Sequence, residues 1–417
     1  MFDFEPDPEY QRLLDWADAF VRAEVEPLDY VFHAPYDRSD ADAMAAVRPL
    51  MRKVRDAGLW ACHLPPELGG GGYGQVKLAL LNEILGRSAW GPVVFGCQAP
   101  DSGNAEILAH FGTPEQRDRF LRPLLDATVV SCFSMTEPQA GADPRLFTTT
   151  GTKRGEKWIL NGEKWFASNA RWADFFIVMV VSDPTVPVYS GASMFIVPAG
   201  TAGLEIVRNV AVFGEDSRYG AHGYLRFNDV ELPADSLLGD EGAAFKIAQV
   251  RLGGGRIHHA MRTVGSARRA FDMMCERAVS RNIHGGKLGD LSTTKERIAQ
   301  SWIELEQFRL LVLRTASTLL NGYPDSRGRT CGFVLRTCKP HGADSRLSYS
   351  HGTRSHPPGE RATVKMYFCV CLAASGLRIC SQLASSGCCP KFSSCGIHRL
   401  LVAFPGPLID QVGNQRR

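Results

Sequence analysis

The first third of the chain places its apolar residues at helical spacing. An apolar stripe follows Asp40, a residue type that can cap the helix this spacing predicts. The stripe consists of Met44, Val47, Met51 and Val54. A second helix start is predicted at Thr113, with proline in the next position and Gln116 three residues after the cap. Residues 1–126 are therefore predicted to form an N-terminal all-α domain.

The middle of the chain changes to short runs rich in β-branched residues. These runs are separated by Gly, Pro and Asp, as expected of strands. They cover residues 129–130, 175–181, 194–197 and 204–207. The pair Asn161-Gly162 is typical of a two-residue hairpin turn, so we expect the chain to reverse there. Residues 127–240 are predicted to form a middle β domain, either a barrel or a sandwich.

Helical spacing returns after residue 240. In its last segment one face is apolar and the opposite face is charged. The apolar face consists of Ile298, Trp302, Leu305 and Phe308, and the charged residues are Lys295, Glu296, Glu304 and Arg309. Residues 241–321 are thus predicted to form part of a C-terminal helical bundle. The whole pattern predicts an α+β multidomain fold of helices, sheet and helices, in that order.

The periodic pattern stops at about residue 321. Residues 322–417 are rich in Gly, Pro, Ser and Arg and contain eight of the twelve cysteines. They carry thirteen Lys and Arg against four Asp and Glu, a net charge of +9, which leaves residues 1–321 with 34 against 40, a net charge of −6. We predict an irregular or disordered segment, which makes the helical bundle incomplete.

Charge and hydropathy exclude several classes of protein. The net charge of the whole chain is only +3, which gives no sign of nucleic-acid or membrane partners. No run of about 18 apolar residues could span a membrane, and the acidic start MFDFEPDPEYQ is not a signal peptide. We expect an intracellular protein, cytoplasmic or organellar (mitochondrial or peroxisomal), with no clear targeting signal. Disulfides are not expected in such a reducing compartment.

Two groups of residues could suggest a metal site. His258 and His259 are adjacent, and neighbouring side chains on a helix point about 100° apart, which is poor geometry for chelating one ion. Cys369-x-Cys371 and Cys388-Cys389 lack the paired spacing of zinc sites. We therefore predict no metal.

Four motifs follow one another along the chain. They are APDSGN (residues 99–104), FSMTEPQAGAD (133–143), NGEKWFASN (161–169) and GGGRIHHAMRTVG (253–265). Read alone, the second is also typical of a turn that closes a strand, and the third contains aromatic residues typical of a core. Together, in this order and on these elements, they resemble the acyl-CoA dehydrogenase family over residues 8–320. The match is most like the subgroup of family members ten and eleven.

The resemblance implies FAD as cofactor, bound where the β domain meets the helices. A reduced flavin gathers negative charge on its pyrimidine side, so hydroxyl and backbone donors near Thr136 would stabilise it. Glycine at position 141 allows close approach of the backbone to a planar ligand. The cofactor-binding residues implied are Phe133, Met135, Thr136, Gly141, Ala142, Trp165, Phe166, Ala167, Ser168 and Arg281. The last would reach the FAD phosphates of a neighbouring subunit, although a solvated cation at a helix end is the alternative.

The resemblance also implies the reaction. It is the FAD-dependent α,β-dehydrogenation of an acyl-CoA to the 2-enoyl-CoA, with electrons passed to an electron-transfer flavoprotein or similar acceptor. Gly141 and Arg256 would contact the acyl-CoA substrate. The bundle, if intact, would build a homodimer or tetramer. A carboxylate must take the α-proton while hydride leaves for the flavin.

That carboxylate is not found. The text expected in this subgroup, Asp-Gly-Pro-Asp-Glu-Val-His, is absent, and the other position that relatives use is Gly255, directly before Arg256. The acidic residues after residue 321 lie in no recognisable helix; they are Asp325, Asp344, Glu360 and Asp410. We therefore assign no catalytic residue.

A catalytically inactive protein is the alternative to an enzyme. It would be a fragment that binds flavin and acyl-CoA but lacks the general base. The change in composition at about residue 321 is typical of a shifted reading frame or a translated intron, and a lineage-specific segment is the other interpretation. An unstable product is a third hypothesis.

Overall fold

A computed structural model describes residues 4–141, 143–210 and 220–320. Its N-terminal part is helical, as predicted. The α-helices there are α1 (Pro8–Phe20), α2 (Leu28–Val31), α3 (Ala41–Asp56), α4 (Gly74–Leu85), α5 (Gly91–Val94), α6 (Asp101–Phe111), α7 (Pro114–Gln116) and α8 (Arg122–Leu125), with π-helical turns at Val21–Val25 and Arg117–Leu121.

Both helix starts predicted from the sequence are confirmed. The Asp40 carboxylate accepts a hydrogen bond of 2.9 Å from the Ala43 amide at the start of α3. Thr113 and Gln116 form a reciprocal capping box at the start of α7. Since capping satisfies amide groups that have no partner inside the helix, these two starts are fixed locally by the sequence.

The middle of the chain forms a seven-stranded sheet. Its strands are β1 (Ser131–Ser134), β2 (Thr150–Arg154), β3 (Lys157–Ser168), β4 (Phe175–Val181), β5 (Ala192–Pro198), β6 (Leu204–Val210) and β7 (His222–Pro233), and a short helix, α9 (Val188–Gly191), precedes β5. β1 and β2 each pair with both β3 and β4, so these four strands close on themselves. β5 extends the sheet beyond β4, and β7 and β6 extend it beyond β3.

The predicted hairpin turn at Asn161-Gly162 is wrong. Both residues lie inside β3, and the chain reverses earlier, at Gly155, where Arg154 pairs with Lys157. The Gly162 φ of 137° belongs to an irregularity in the pairing of β3 with β7. A glycine with positive φ is thus needed at both positions, and in this chain the turn forms at the first of them.

Replacing Gly162 with alanine is expected to lower the free energy of unfolding by about 2 kcal/mol or more. An added Cβ would lie 2.6 Å from Thr149 Cα, and this φ is nearly exclusive to glycine. Gly155→Ala is the matched control, because its φ is also positive but no heavy atom of the described residues lies within 4 Å of the added Cβ. Urea unfolding measures both. Equal losses would show that the close contact with Thr149 contributes nothing.

The chain returns to helix in α10 (Ala244–Ser280) and α11 (Ser292–Leu320), which are joined through β8 (Asn282–Ile283) and β9 (Gly286–Lys287). α10 packs against α4, α6 and α11 and so brings the two helical parts together. The predicted apolar face of α11 is only partly buried, since Leu305 is 5% exposed but Trp302 is 43% exposed. The Trp302 ring packs instead against Phe271 and lies under the Arg268 guanidinium.

None of the helices described is long and apolar enough to cross a membrane. The domain boundaries at residues 126, 240 and 321 stay predictions. The predicted irregular segment, residues 322–417, lies outside the described residues together with its cysteines and carboxylates.

Candidate active site

A buried ion pair fixes the loop that follows β1. The Lys164 ammonium on β3 lies 2.8 Å from the Glu137 carboxylate, and both side chains are fully buried. Lys164 also donates a hydrogen bond of 3.0 Å to the Met135 carbonyl oxygen. Glu137 accepts further hydrogen bonds from the amides of Thr148 and Thr149. The loop is therefore tied both to β3 and to the chain that enters β2.

Burial and charge act differently on the two partners. Burial lowers the pKa of Lys164 to about 8, although Glu137 opposes this. Burial alone would raise the pKa of Glu137, but the Lys164 charge and the hydrogen bonds from Lys164, Thr148 and Thr149 hold that pKa below its usual value. Each group therefore supplies the countercharge that the other needs where water does not reach.

A β-bulge in β3 brings two aromatic residues to the same loop. The pairing of β3 with β7 is irregular between Lys164 and Ala167, and Phe166 has a φ of +52°. The Trp165 amide donates a hydrogen bond of 2.8 Å to the Thr136 carbonyl oxygen. A positive φ in a bulky residue is strained, and bulges of this kind are over-represented next to active sites. Thr136, Trp165 and Phe166 are thus grouped at one place.

Ser168 ends β3 and connects three strands. It pairs with Phe133 on β1 and with His222 on β7. Its hydroxyl oxygen lies 3.0 Å from His222 Nδ1. The ring centroids of Phe166 and His222 are 6.1 Å apart and nearly perpendicular.

α10 closes the site on its helical side. The Arg251 guanidinium lies 3.8 Å from the centroid of the Phe133 ring and donates a hydrogen bond of 3.0 Å to Asn104 on α6. Burial lowers the Arg251 pKa to about 10. Burial also raises the pKa of Glu106 to about 7, with only partial compensation from Arg251. The first strand, α6 and α10 therefore meet around Phe133.

The next turn of α10 leaves space. At Gly253 and at Gly255 an added Cβ would have no heavy atom within 4 Å among the described residues. Arg256 Nε is buried, and within the described ranges it has no hydrogen-bond partner. The same is true of Trp165 Nε1. Open positions on α10 and buried donors without a partner among the described residues are features found in ligand-binding clefts.

Buried imidazoles extend the polar lining. Burial lowers the pKa of His63 and of His259 to about 3 and holds that of His258 well below its ordinary value, with the Arg262 charge acting in the same direction. All three rings are therefore neutral at physiological pH. Over the described part of the chain, no three His, Cys, Asp or Glu side chains are grouped so that they could bind a metal ion.

Comparison with known proteins identifies the family. Models of the N-terminal, middle and C-terminal domains of acyl-CoA dehydrogenases match residues 7–128, 132–230 and 242–338. The Mycobacterium tuberculosis protein FadE2, named as an acyl-CoA dehydrogenase, is 42% identical over 287 residues, which are 67% of this chain and 69% of FadE2. The chain belongs to the acyl-CoA dehydrogenase family.

Two further acyl-CoA dehydrogenases support the assignment. Mouse acyl-CoA dehydrogenase family member 10 is 36% identical over 323 residues, which cover 74% of this chain but only 30% of that protein. The chain therefore spans about a third of the length of this relative. The structure of butyryl-CoA dehydrogenase from Megasphaera elsdenii superposes with a TM-score of 0.64 at 26% identity, over 81% of this chain and 88% of that chain. The predicted resemblance and fold class are confirmed.

Most of the site residues predicted for an acyl-CoA dehydrogenase lie together. The grouped residues are Phe133, Met135, Thr136, Trp165, Phe166, Ala167 and Ser168, at the ends of β1 and β3. Arg256 lies on α10, just over one turn after Arg251. Gly141 is exposed in the loop with φ of +55°, and no described heavy atom lies within 4 Å of an added Cβ; Ala142 lies outside the described residues.

Arg281 is not brought to this group. It is exposed at the C-terminal end of α10, roughly 40 Å along the helix from Arg256. Its predicted role is to bind the FAD phosphates of a neighbouring subunit. The distance between Arg281 and Arg256 within one chain does not test that role.

Sequence reasoning missed three side chains of the site. Lys164 was read only as part of a motif, and neither Arg251 nor His222 was singled out. Glu137 follows a strand that is predicted to be buried, and a buried carboxylate needs a countercharge. A lysine on a neighbouring strand could therefore have been predicted as its partner. Nothing in the sequence connects His222 with Ser168, because they are 54 residues apart and meet only through strand pairing.

Proposed function

We propose that the chain binds FAD along the β1 loop and the end of β3 and dehydrogenates an acyl-CoA to the 2-enoyl-CoA. The observation that carries this proposal is the strained Phe166 bulge, tied by the Trp165–Thr136 hydrogen bond to a loop that the Glu137–Lys164 pair anchors. Strain of this kind persists only where surrounding contacts enforce it. FAD, when bound, supplies the acceptor for the two electrons that leave the substrate.

The residues present fit such a cofactor. The aromatic face of Phe166 and the hydroxyls of Thr136 and Ser168 offer an apolar wall with polar groups at its edge. Gly141 leaves open space for a planar group, and Trp165 Nε1 is a buried donor with no partner among the described residues. Donors that are fixed before the ligand arrives need no reorganisation when charge develops on it. Phe133 and Met135 would complete the wall together with the backbone of Ala167, whose side chain is buried in the core of the sheet.

The acyl-CoA would lie between this wall and α10. Gly253 and Gly255, which have no described heavy atom within 4 Å of an added Cβ, would supply room, and Arg256 Nε would supply a buried donor. Closing this cleft over the substrate would exclude water and strengthen each polar contact inside it. We further propose an electron-transfer flavoprotein or similar protein as the electron acceptor. Arg281 would serve the FAD phosphates of a second copy, as part of a homodimer or tetramer.

The general base is the missing part. Position 255 is a glycine, and the text expected for the alternative base is absent from the sequence. This observation favours a second candidate function, a chain that binds flavin and acyl-CoA without turning over. The two candidates differ in one property, namely whether bound acyl-CoA reduces the flavin.

FAD titration of the full chain tests the proposal. We expect purified protein to take up FAD, and Thr136→Val to weaken that binding about three- to tenfold through the loss of one hydrogen bond. Thr152→Val is the control, because Thr152 is exposed on β2, away from the site. A chain that takes up no FAD contradicts the proposal. Loss of the oxidised-flavin absorbance on anaerobic addition of acyl-CoA indicates an enzyme, and retention of it indicates the silent binder.

A further inference from the structure

His222 lies where three strands of the middle domain meet. It is the first residue of β7, and it pairs with Ser168 on β3 and with Val210 on β6. Its ring is edge-on to Phe166, and its Nδ1 atom lies 3.0 Å from the Ser168 hydroxyl oxygen. The imidazole therefore lies beside the Ser168 and Phe166 side chains, on the strand next to theirs.

The imidazole is neutral at physiological pH, because burial lowers the His222 pKa below its ordinary value. A neutral imidazole has one nitrogen that donates and one that accepts. A serine hydroxyl has a single hydrogen, so it cannot donate to His222 and to a ligand at the same time. The tautomer of His222 consequently decides what Ser168 can offer on its other side.

We propose that His222 is a positioning residue that donates its Nδ1 hydrogen to Ser168 and so leaves the Ser168 hydroxyl hydrogen directed at the flavin. This inference rests on the proposed function. The polar edge of an oxidised isoalloxazine presents nitrogen and oxygen acceptors, so it needs a donor. Without this partner, the Ser168 side chain would rotate among its staggered rotamers. Fixing the hydroxyl toward the ligand would then cost conformational entropy on binding.

The inference explains why the residue is a histidine at a strand start. The Ser168–His222 pair is part of the regular β3–β7 register just beyond the bulge, so the backbone holds both side chains on one face. The same bulge turns Phe166. One distortion of β3 thereby sets both the aromatic wall and the direction of the hydroxyl.

A double-mutant cycle on the full chain tests the inference. The variants are Ser168→Ala, His222→Ala, the double variant and His222→Asn, and the readouts are the FAD dissociation constant and the midpoint potential of bound FAD. We expect His222→Ala to weaken FAD binding about three- to tenfold and to shift the potential. In the Ser168→Ala background the same change should have no further effect, because His222 acts through that hydroxyl. His222→Asn, whose amide can donate from a similar position, should stay within about twofold of wild type.

A readout without cofactor is the ¹⁵N spectrum of the histidine rings in the apo protein. The His222 signals are identified by their loss in His222→Asn, and we expect Nδ1 to be protonated. His284→Ala is the matched control for the binding measurements, because His284 is exposed in the β8–β9 hairpin.

Several results overturn the inference. They are an unprotonated Nδ1, a His222→Ala effect of the same size with and without Ser168, or normal FAD binding and potential in His222→Ala. These results leave the proposed function standing if wild type binds FAD. A wild-type chain that binds no FAD overturns both. If His222→Ala does not fold, His222→Asn and Ser168→Ala still decide the matter through the apo spectrum and the FAD titration.

Discussion

Replacing Gly255 with glutamate is expected to raise the rate at which an acyl-CoA reduces bound FAD by about 100-fold or more, compared with Gly255→Gln. A general base within reach of the abstracted proton contributes about 10²- to 10⁴-fold. Position 255 is where some relatives carry that base, and in this chain it has no side chain. Anaerobic stopped-flow measurement of the flavin absorbance gives the rate.

The structure has room for this change. Among residues 4–141, 143–210 and 220–320, no heavy atom lies within 4 Å of a Cβ added at Gly255, and the position is in the interior of α10. Glutamate and glutamine are both better helix formers than glycine, by about 0.5 to 1 kcal/mol, so the two variants should be similarly stable. Glutamine has nearly the same shape and cannot take a proton. The difference between the two rates therefore isolates the carboxylate.

Equal rates in the two variants would contradict this expectation. If both variants bind FAD and acyl-CoA but neither reduces the flavin faster than wild type, position 255 does not face the substrate in this chain. A wild type already as fast as Gly255→Glu would mean that another group takes the proton. Glu106 would then be the first carboxylate to replace, because burial brings its pKa to about 7.

The sequence predicted those parts of the structure that are fixed locally. The starts of α3 and α7 follow from capping residues within three positions, and strand β4 has the predicted bounds, 175–181, because its β-branched run is buried on both faces. The turn at Asn161-Gly162 was wrong because local turn chemistry competes with strand pairing. Five residue pairs align β2 with β3 between Gly155 and Gly162, from Arg154–Lys157 to Thr150–Asn161, and they extend β3 through the expected turn.

The candidate site was predictable only in part. The spacing of Thr136 and Trp165 in the sequence does not predict that they lie close together. That prediction came from the resemblance to a family. The pairs Glu137–Lys164 and Ser168–His222 join residues 27 and 54 positions apart, and they exist because the strands place them there. Long-range contacts of this kind have no local signal in the sequence.

Lys164→Met is expected to lower the free energy of unfolding by about 3 to 5 kcal/mol, because it leaves the buried Glu137 carboxylate without its countercharge. Lys157→Met on the same strand is the matched control. Lys157 pairs with Glu231 at 2.8 Å, but both side chains are more than half exposed, so a loss below about 1 kcal/mol is expected. Urea unfolding at neutral pH measures both. FAD binding should also weaken in Lys164→Met, since the β1 loop loses its anchor on β3.

The pH dependence gives the sign of the Glu137 contribution. The folded-state pKa of Glu137 is lowered, so the stability it contributes is present above its unfolded pKa and is lost as pH falls through the folded value. In Lys164→Met the pKa of Glu137 is no longer lowered, and a protonated Glu137 tolerates burial. The difference in the free energy of unfolding between Lys164→Met and wild type should therefore become smaller at acid pH. The double variant Lys164→Met with Glu137→Gln should recover much of the loss at neutral pH, because no buried charge remains. A double variant no more stable than Lys164→Met would show that the hydrogen bonds from the Thr148 and Thr149 amides require the Glu137 carboxylate. The ion pair would then not be the main contribution of Glu137 to stability.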